Sequence, residues 1–172
     1  MRYSSTLPIA WVTLRILIVL NWLAGAAIFA LLIATIVAKD WTFAALGFTP
    51  VSGIPTVIMG LRAVAALGII AMFLNHAVLQ RLVAIVVTVR CSDPFVAANA
   101  LRLNAVAWAL LALQLLSLVI GAIGEAISTA TLPIRLDAGF STSGWLAVLL
   151  TFVLARVFAE GTLMREDLKG TV

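Results

Sequence analysis

Hydrophobic and polar positions along the chain predict four membrane-spanning helices. Long apolar runs alternate with short polar connections, and each run approaches the about 20 residues that a helix needs to cross a bilayer. The first run, for example, ends at Lys39-Asp40, where charged side chains return the chain to water. The fold class predicted is an all-α integral membrane four-helix bundle, a single transmembrane domain over residues 1–172, with spans at 16–38, 57–77, 104–124 and 144–160.

The first apolar run also has a feature of a secretory signal. Ala24-Gly25-Ala26 stands where a signal peptidase could cleave. The apolar stretch continues past these residues without a break, however, which favours a retained span over a cleaved signal.

The second apolar segment is longer than a bilayer is thick. Polar residues begin at Asn75, after about 20 apolar positions, yet the sequence stays helix-compatible as far as Val89. Its apolar side chains then recur at steps of three and four, which predicts an amphipathic cytoplasmic extension between spans two and three. This extension could lie in the headgroup layer or pack against partner helices, and periodicity leaves both interpretations open. The predicted apolar face comprises Val78, Leu82, Ile85 and Val89, and the polar face comprises Gln80, Arg81, Ala84 and Thr88.

Asp93 and Pro94 predict the start of the next helix. A carboxylate can cap free backbone donors, and a proline at the first helical position loses no intrahelical bond. After this cap, Phe95, Asn99 and Arg102 follow at steps of four and three, so an aromatic ring, an amide and a cation share one face. The first turns of this helix should project into water on the side of the extension.

The basic residues are distributed unevenly between the two sides of the predicted bundle. With the N-terminus inside, eight of the eleven lie inside or near that end, and only Lys39, Arg62 and Arg135 lie outside. The positive-inside rule then places both termini in the cytoplasm and the protein in the inner membrane. The basic excess therefore predicts topology and contact with anionic lipids of the bilayer, and no direct nucleic-acid binding. The inner set is Arg2, Arg15, Arg81, Arg90, Arg102, Arg156, Arg165 and Lys169.

Composition narrows the function classes. Hydrophobic residues make up 64% of the chain and charged residues 10%, against roughly 45–50% and about 25% in a soluble domain. A single Cys and a single His exclude, within one chain, a Cys/His metal cage, a Cys-x-x-Cys pair and bis-histidine haem ligation. All seven acids fall at span ends or in connections, which argues against a proton relay. We therefore expect no catalytic residue, cofactor or metal, and a protein that is not an enzyme.

Two single residues have competing interpretations. We expect His76 to reach headgroups or a neighbouring helix, with ligation or proton transfer as the alternatives, and it is the best single candidate for a pH effect. We expect Cys91 to be an ordinary small residue, with redox sensing as the alternative.

The first two predicted spans carry features that concern helix packing. Small residues spaced by four form a stripe on the first span, which we expect to pack on another helix of this chain, with a helix of another protein as the alternative. Arg62, about one turn into the second span, should pair with Asp40, Glu125 or Asp137, or reach the outer headgroups. The stripe, called the alanine stripe below, comprises Ala26, Ala30, Ala34 and Ala38.

A second polar constellation follows the fourth span. Arg156 and Glu160 are four residues apart, and Gly161 and the charged string Arg165-Glu166-Asp167 come next. In one interpretation Glu160 pairs with Arg156 or Arg102 and joins the ends of the bundle. In the other, these residues form a docking surface for a cytoplasmic protein, and the two are compatible.

Two strings resemble one bacterial family. They are Arg90-Cys91-Ser92-Asp93-Pro94-Phe95-Val96-Ala97-Ala98-Asn99-Ala100-Leu101-Arg102 and residues 158–172, FAEGTLMREDLKGTV. In order and position they are similar to a family of four-span membrane proteins, the domain of unknown function number twenty-nine seventy-five. Ser92 stands where that family commonly has Gly, and Ala97 where it commonly has Pro. The resemblance brings no catalytic residues, but its members are often encoded beside a Cro-type helix-turn-helix regulator, which implies a partner of that kind.

The predicted function is accordingly a non-catalytic inner-membrane regulator that binds a cytoplasmic helix-turn-helix protein. The face of Phe95, Asn99 and Arg102 would form the surface together with Glu160 and the string 165–167. The alternative is an accessory subunit of a larger membrane complex or a homo-oligomer, packing through the alanine stripe. A small-ligand, lipid-binding or transport protein would be favoured by a deep cavity beside Asn75, His76 or Gln114.

Overall fold

Four long helices make up almost all of the described chain. The structure is a computed structural model that describes residues 6–38, 54–91, 96–128 and 138–170. These ranges contain no strand, which confirms the all-α fold class, and each helix is long and apolar enough to cross a membrane. The helices are α1 (Thr6–Val37), α2 (Ile54–Cys91), α3 (Ala97–Ile127) and α4 (Thr142–Gly170).

The outer helices are longer than the spans predicted for them. α1 begins at Thr6, ten residues before the predicted span, and α4 continues ten residues beyond residue 160 to Gly170. The apolar run marks the segment that avoids water, whereas a backbone helix continues through polar side chains that stay solvated. Arg15 is an example of such a polar residue, since its side chain is exposed on α1. Its guanidinium carbon lies 5.3 Å from the centre of the Trp11 ring, at the distance of a cation–π contact.

The predicted continuation of the second helix beyond Asn75 is confirmed. α2 is one unbroken helix of 38 residues. In the extension, Val78 is buried in a cluster with Val106 and Ala109 of α3, and Leu82 packs against that cluster. This part of the extension therefore packs on a helix of its own chain, as in the second of the two interpretations.

The contacts divide the chain into two compact units. The first unit comprises Met1–Asn21, Leu74–Leu113 and Ser141–Val172, and the second comprises Trp22–Phe73 and Gln114–Phe140. Each has an edge-to-face pair of aromatic rings: Trp108 and Phe152 in the first, with centroids 5.4 Å apart, and Trp22 and Phe73 in the second, 6.2 Å apart. The first unit also contains the Val78 cluster.

Within the second unit, α1 packs on α2 through a glycine and not through the alanine stripe. Gly25 is buried against Met72, and the methyl groups of Ile28 lie against Gly68. Ala26, Ala30 and Ala38 are exposed and Ala34 is half-buried, so the expected internal packing of this stripe is wrong. A glycine lets helix axes come closer than an alanine does, and the flexible Met72 side chain fills the space it leaves.

The end of the α3–α4 connection is held by one serine. Ser117 Oγ accepts a hydrogen bond from Gly139 N at 3.1 Å and donates to Gly139 O at 3.2 Å. Gly139 has a φ of 133°, which a residue with a side chain rarely adopts. α4 then begins with a serine cap, because Ser141 Oγ accepts from Gly144 N at 3.2 Å.

Candidate functional site

A buried polar network joins the end of α2 to the start of α3. Arg102 Nη1 donates to Thr88 Oγ1 at 2.8 Å and to Asn99 Oδ1 at 2.9 Å. Thr88 Oγ1 in turn donates to Ala84 O at 2.8 Å. Asn99 is 0% exposed and Arg102 is half-buried, so these hydrogen bonds replace water for both groups. We call Thr88, Asn99 and Arg102 the helix-pair network.

This network changes the role of the predicted docking face. Asn99 and Arg102 lie on one face, as predicted, but that face is turned to α2, and Asn99 is inaccessible to a partner. Helical periodicity identifies residues that share a side without identifying what lies against it. Asp93, Pro94 and Phe95 lie outside the described residues.

Of the two partners expected for Glu160, Arg156 and Arg102, the structure shows Arg156. Arg156 Nε donates to Glu160 Oε1 at 2.7 Å, and the two side chains are 78% and 52% exposed. Gly161 and Arg165 are half-buried on the same helix, and α4 includes Glu166 and Asp167, whose side chains lie outside the described set. An exposed ion pair of this kind contributes about 0.3–0.5 kcal/mol to stability. Its accessible charges are therefore available for binding.

An open groove lies between α3 and α4 within the first unit. Its volume is about 570 Å³. Alanines from both helices line it, which leaves room that larger side chains would occupy: Ala97, Ala100, Ala155 and Ala159. The groove was not predicted from the sequence, although these alanines are spaced by three on α3 and by four on α4.

The groove combines polar and apolar side chains. Asn104 and Arg156 contribute an amide and a guanidinium, and Phe152 contributes an aromatic ring. Leu101 and Leu163 are 70% and 61% exposed along it. An amphiphilic ligand could therefore satisfy both kinds of side chain at once.

Arg62 lies in the second unit and contacts the end of α1. Its Nη2 donates to the carbonyl oxygen of Thr35, in the last turn of α1, where backbone carbonyls lack helical partners. A cation there also offsets the partial negative charge of the helix end. Of the predicted partners, Glu125 is exposed, and Asp40 and Asp137 lie outside the described residues.

The remaining candidate residues are dispersed. Across the four described ranges, no three His, Cys, Asp or Glu side chains are placed to hold a metal ion. The α3–α4 groove is lined by none of Asn75, His76 and Gln114, so it does not meet the condition set for a transport site. Asn75 is exposed, and Cys91 ends α2 with its side chain outside the described set.

Comparison with known proteins finds no relative that could help to interpret the site. No protein-family model, no curated protein and no solved structure matches the chain. The resemblance carried by residues 90–102 and 158–172 therefore stays a prediction.

Proposed function

We propose that the protein is a non-catalytic inner-membrane protein that binds a cytoplasmic protein at the helix ends of the first unit. The length of α2 carries this proposal. At about 1.5 Å per residue, its 38 residues extend about 57 Å, whereas the hydrocarbon core is about 30 Å thick. A helix of that length extends past the membrane as an ordered structure, and an ordered helix end can recognise a protein without a separate soluble domain.

The charge distribution supports a cytoplasmic position for these ends. The segments of the first unit contain eight of the eleven basic residues, whereas those of the second contain Lys39, Arg62 and Arg135. The positive-inside rule assigns the richer set to the cytoplasm, which places both termini there.

Accessible residues of α4 make up the proposed binding surface. The Arg156–Glu160 pair offers charges of both signs, and Leu163 and Met164 are exposed apolar side chains beside it. Interfaces combine apolar anchors with a polar rim in this way. Asn99 has no place in this surface because it is buried. A helix-turn-helix regulator as the partner rests on the family resemblance alone.

A crosslinking pulldown from native membranes tests the proposal. Glu160→Arg should weaken recovery of a small DNA-binding protein several-fold, as should Phe95→Ala and Arg165→Glu. Glu125→Arg is the matched control, since Glu125 is an exposed acid of the second unit, and it should leave recovery unchanged. Recovery of integral membrane proteins only, unaffected by the three substitutions, would overturn the regulator proposal.

The exposed alanine stripe favours a second function, that of an accessory subunit. Ala26 and Ala30 are covered by no other helix of the described chain, and small residues are where membrane helices approach closely. In a Cys91→Ser protein, Ala30→Cys should then crosslink to another membrane protein or to a second copy. The exposed Ile36→Cys, about 120° around α1 from Ala30, should not.

A further inference from the structure

We propose that the α3–α4 groove binds one anionic phospholipid, whose phosphate contacts Arg156 and Asn104 and whose acyl chain lies along Phe152 and Trp108. This inference rests on the proposed membrane location, and it is independent of any protein partner.

The polar side chains of the groove have hydrogen-bonding groups that no described residue uses. Arg156 uses Nε in its bond to Glu160, and its Nη1 and Nη2 make no hydrogen bond to a described residue. The exposed Asn104 side chain likewise makes none within the described ranges. A guanidinium presents paired donors that match phosphate oxygens, and the bond to Glu160 restricts where it points.

Net charge favours an anionic headgroup over a zwitterionic one. Glu160 balances Arg156 locally, but the segments of the first unit contain eight basic and four acidic residues. Each basic residue near a membrane surface attracts anionic lipid by about 1 kcal/mol. A phosphate at Arg156 would therefore lie in a positive field even though that residue is ion-paired.

The apolar part of the groove fits an acyl chain. The alanines Ala100 and Ala155 leave the space open, and the volume of about 570 Å³ lies in the range of about 300–1,000 Å³ typical of small-molecule sites. The edge-to-face pair of Trp108 and Phe152 continues the apolar surface, since Trp108 is 59% exposed.

The short length of the groove disfavours a partner helix as its occupant. It extends along α3 from Ala97 to Asn104 and along α4 from Phe152 to Leu163, about 10 Å and about 16 Å of helix. A membrane-spanning helix would seek contact over about 30 Å. A headgroup, a glycerol and the first part of an acyl chain match the shorter dimension.

Quenching of Trp108 by brominated lipids tests the proposal directly. The full chain, with Trp108 as its only tryptophan, is placed in vesicles containing brominated phosphatidylglycerol or brominated phosphatidylcholine. We expect phosphatidylglycerol to quench at about fivefold lower mole fraction, which corresponds to about 1 kcal/mol for one basic residue. Inorganic phosphate should not reverse the quenching, because it has no acyl chain. The residues changed to Phe are Trp11, Trp22, Trp41 and Trp145.

Matched variants separate the groove from general surface charge. Arg156→Gln should remove most of the preference for phosphatidylglycerol, and Asn104→Leu should reduce it. Arg90→Gln removes the same charge from an exposed residue that does not line the groove, and should change the preference less than twofold. Ala159→Leu should weaken quenching by both lipids because it fills the groove. If Arg156→Gln loses helical circular dichroism, Arg156→Lys is measured in its place. We expect an intermediate preference for phosphatidylglycerol, because lysine keeps the positive charge but lacks the paired donors of the guanidinium.

Three outcomes would overturn the proposal. The first is equal quenching by the two lipids in the parent protein, and the second is equal loss of preference in Arg90→Gln and Arg156→Gln. The third is efficient crosslinking of Leu101→Cys between two copies, which would make a second copy the occupant. None of these depends on recovery of a cytoplasmic partner, so failure here is distinguishable from failure of the proposed function.

Discussion

The sulfur of Met72 lies where a side chain on Gly25 would begin. Gly25 is a buried position of α1 in the second unit, and a Cβ there would overlap Met72 Sδ and lie 2.8 Å from Met72 Cγ. The close approach of these two helix segments therefore depends on a missing side chain on one and a flexible side chain on the other.

Gly25→Ala should destabilise the protein by about 1–3 kcal/mol, the usual cost of overpacking. Met72→Ala removes the overlapping atoms, so the double variant should be more stable than the sum of the single effects indicates. Reversible unfolding in detergent measures both. Ala26→Val, one residue further along α1 and exposed, should change stability by about 0.5 kcal/mol or less. An equal loss for Ala26→Val would contradict the assignment of the packed face.

Gly121→Ala should be among the most destabilising glycine substitutions. A Cβ there would lie 2.9 Å from the Ala138 carbonyl oxygen and 2.9 Å from Gly139 Cα, and backbone atoms cannot turn aside as a side chain does. We expect a loss of about 1–3 kcal/mol, measured by thermal unfolding. Gly68→Ala is the control, because its Cβ would meet only Ile28 methyl groups at 3.6 Å and alanine favours the helix by about 1 kcal/mol. Similar losses for both substitutions would count against the close backbone approach.

Asn99→Ala should lower the free energy of unfolding by about 1–3 kcal/mol. The substitution removes a buried acceptor of Arg102 and leaves a void between α2 and α3. Asn75→Ala changes an exposed amide of the same unit and should have little effect. Thr88→Val, combined with Asn99→Ala, should show a coupling of about 0.5 kcal/mol or more, since both side chains accept from the same Nη1. Additive effects would mean that the network does not act as a unit.

Arg62→Met should destabilise the protein more than Arg62→Lys. Methionine leaves the Thr35 carbonyl without its donor, at a cost of about 1–3 kcal/mol for an unsatisfied buried group. Lysine can still donate to that carbonyl, and it lacks the Nε–H, which is buried without an acceptor among the described residues. In detergent, the free energy of unfolding of Arg62→Lys should be close to that of the parent protein, and that of Arg62→Met should be lower than both. The reverse order of the two variants would indicate that Arg62 does not cap α1.

Glu160→Gln should change stability by about 0.5 kcal/mol or less. The Arg156–Glu160 pair is exposed, and the acid follows the base by four residues, the less favourable order on a helix. A small effect in a thermal-unfolding measurement would make Glu160 variants suitable probes of binding. A loss of several kcal/mol would show instead that the pair is mainly structural.

The sequence predicted the features that depend on long-range polarity patterns. The four apolar helices follow from the length of the apolar runs, and the shared apolar face of Val78 and Leu82 follows from hydrophobic periodicity. Helical spacing makes Arg156 one of the two partners expected for Glu160. These features repeat over many residues or depend on neighbours within one helix.

Features that depend on which helix lies opposite could not be predicted in this way. The alanine stripe and Gly25 are both small, and only the position of Met72 decides that Gly25 is the packed one. Asn99 has the same periodicity whether it faces a partner or α2, and its burial depends on Thr88 and Arg102. The groove is likewise formed by two helices together.

The two edge-to-face ring pairs give each unit its own optical reporter. Trp108 contacts Phe152 edge-to-face in the first unit and Trp22 contacts Phe73 in the second, so a protein with one of these tryptophans reports local opening of one unit. Coincident fluorescence transitions would mean cooperative, two-state unfolding, whereas separate transitions would mean that each unit opens as an independent folding unit. Cooperativity within a chain of four continuous helices thereby becomes directly measurable.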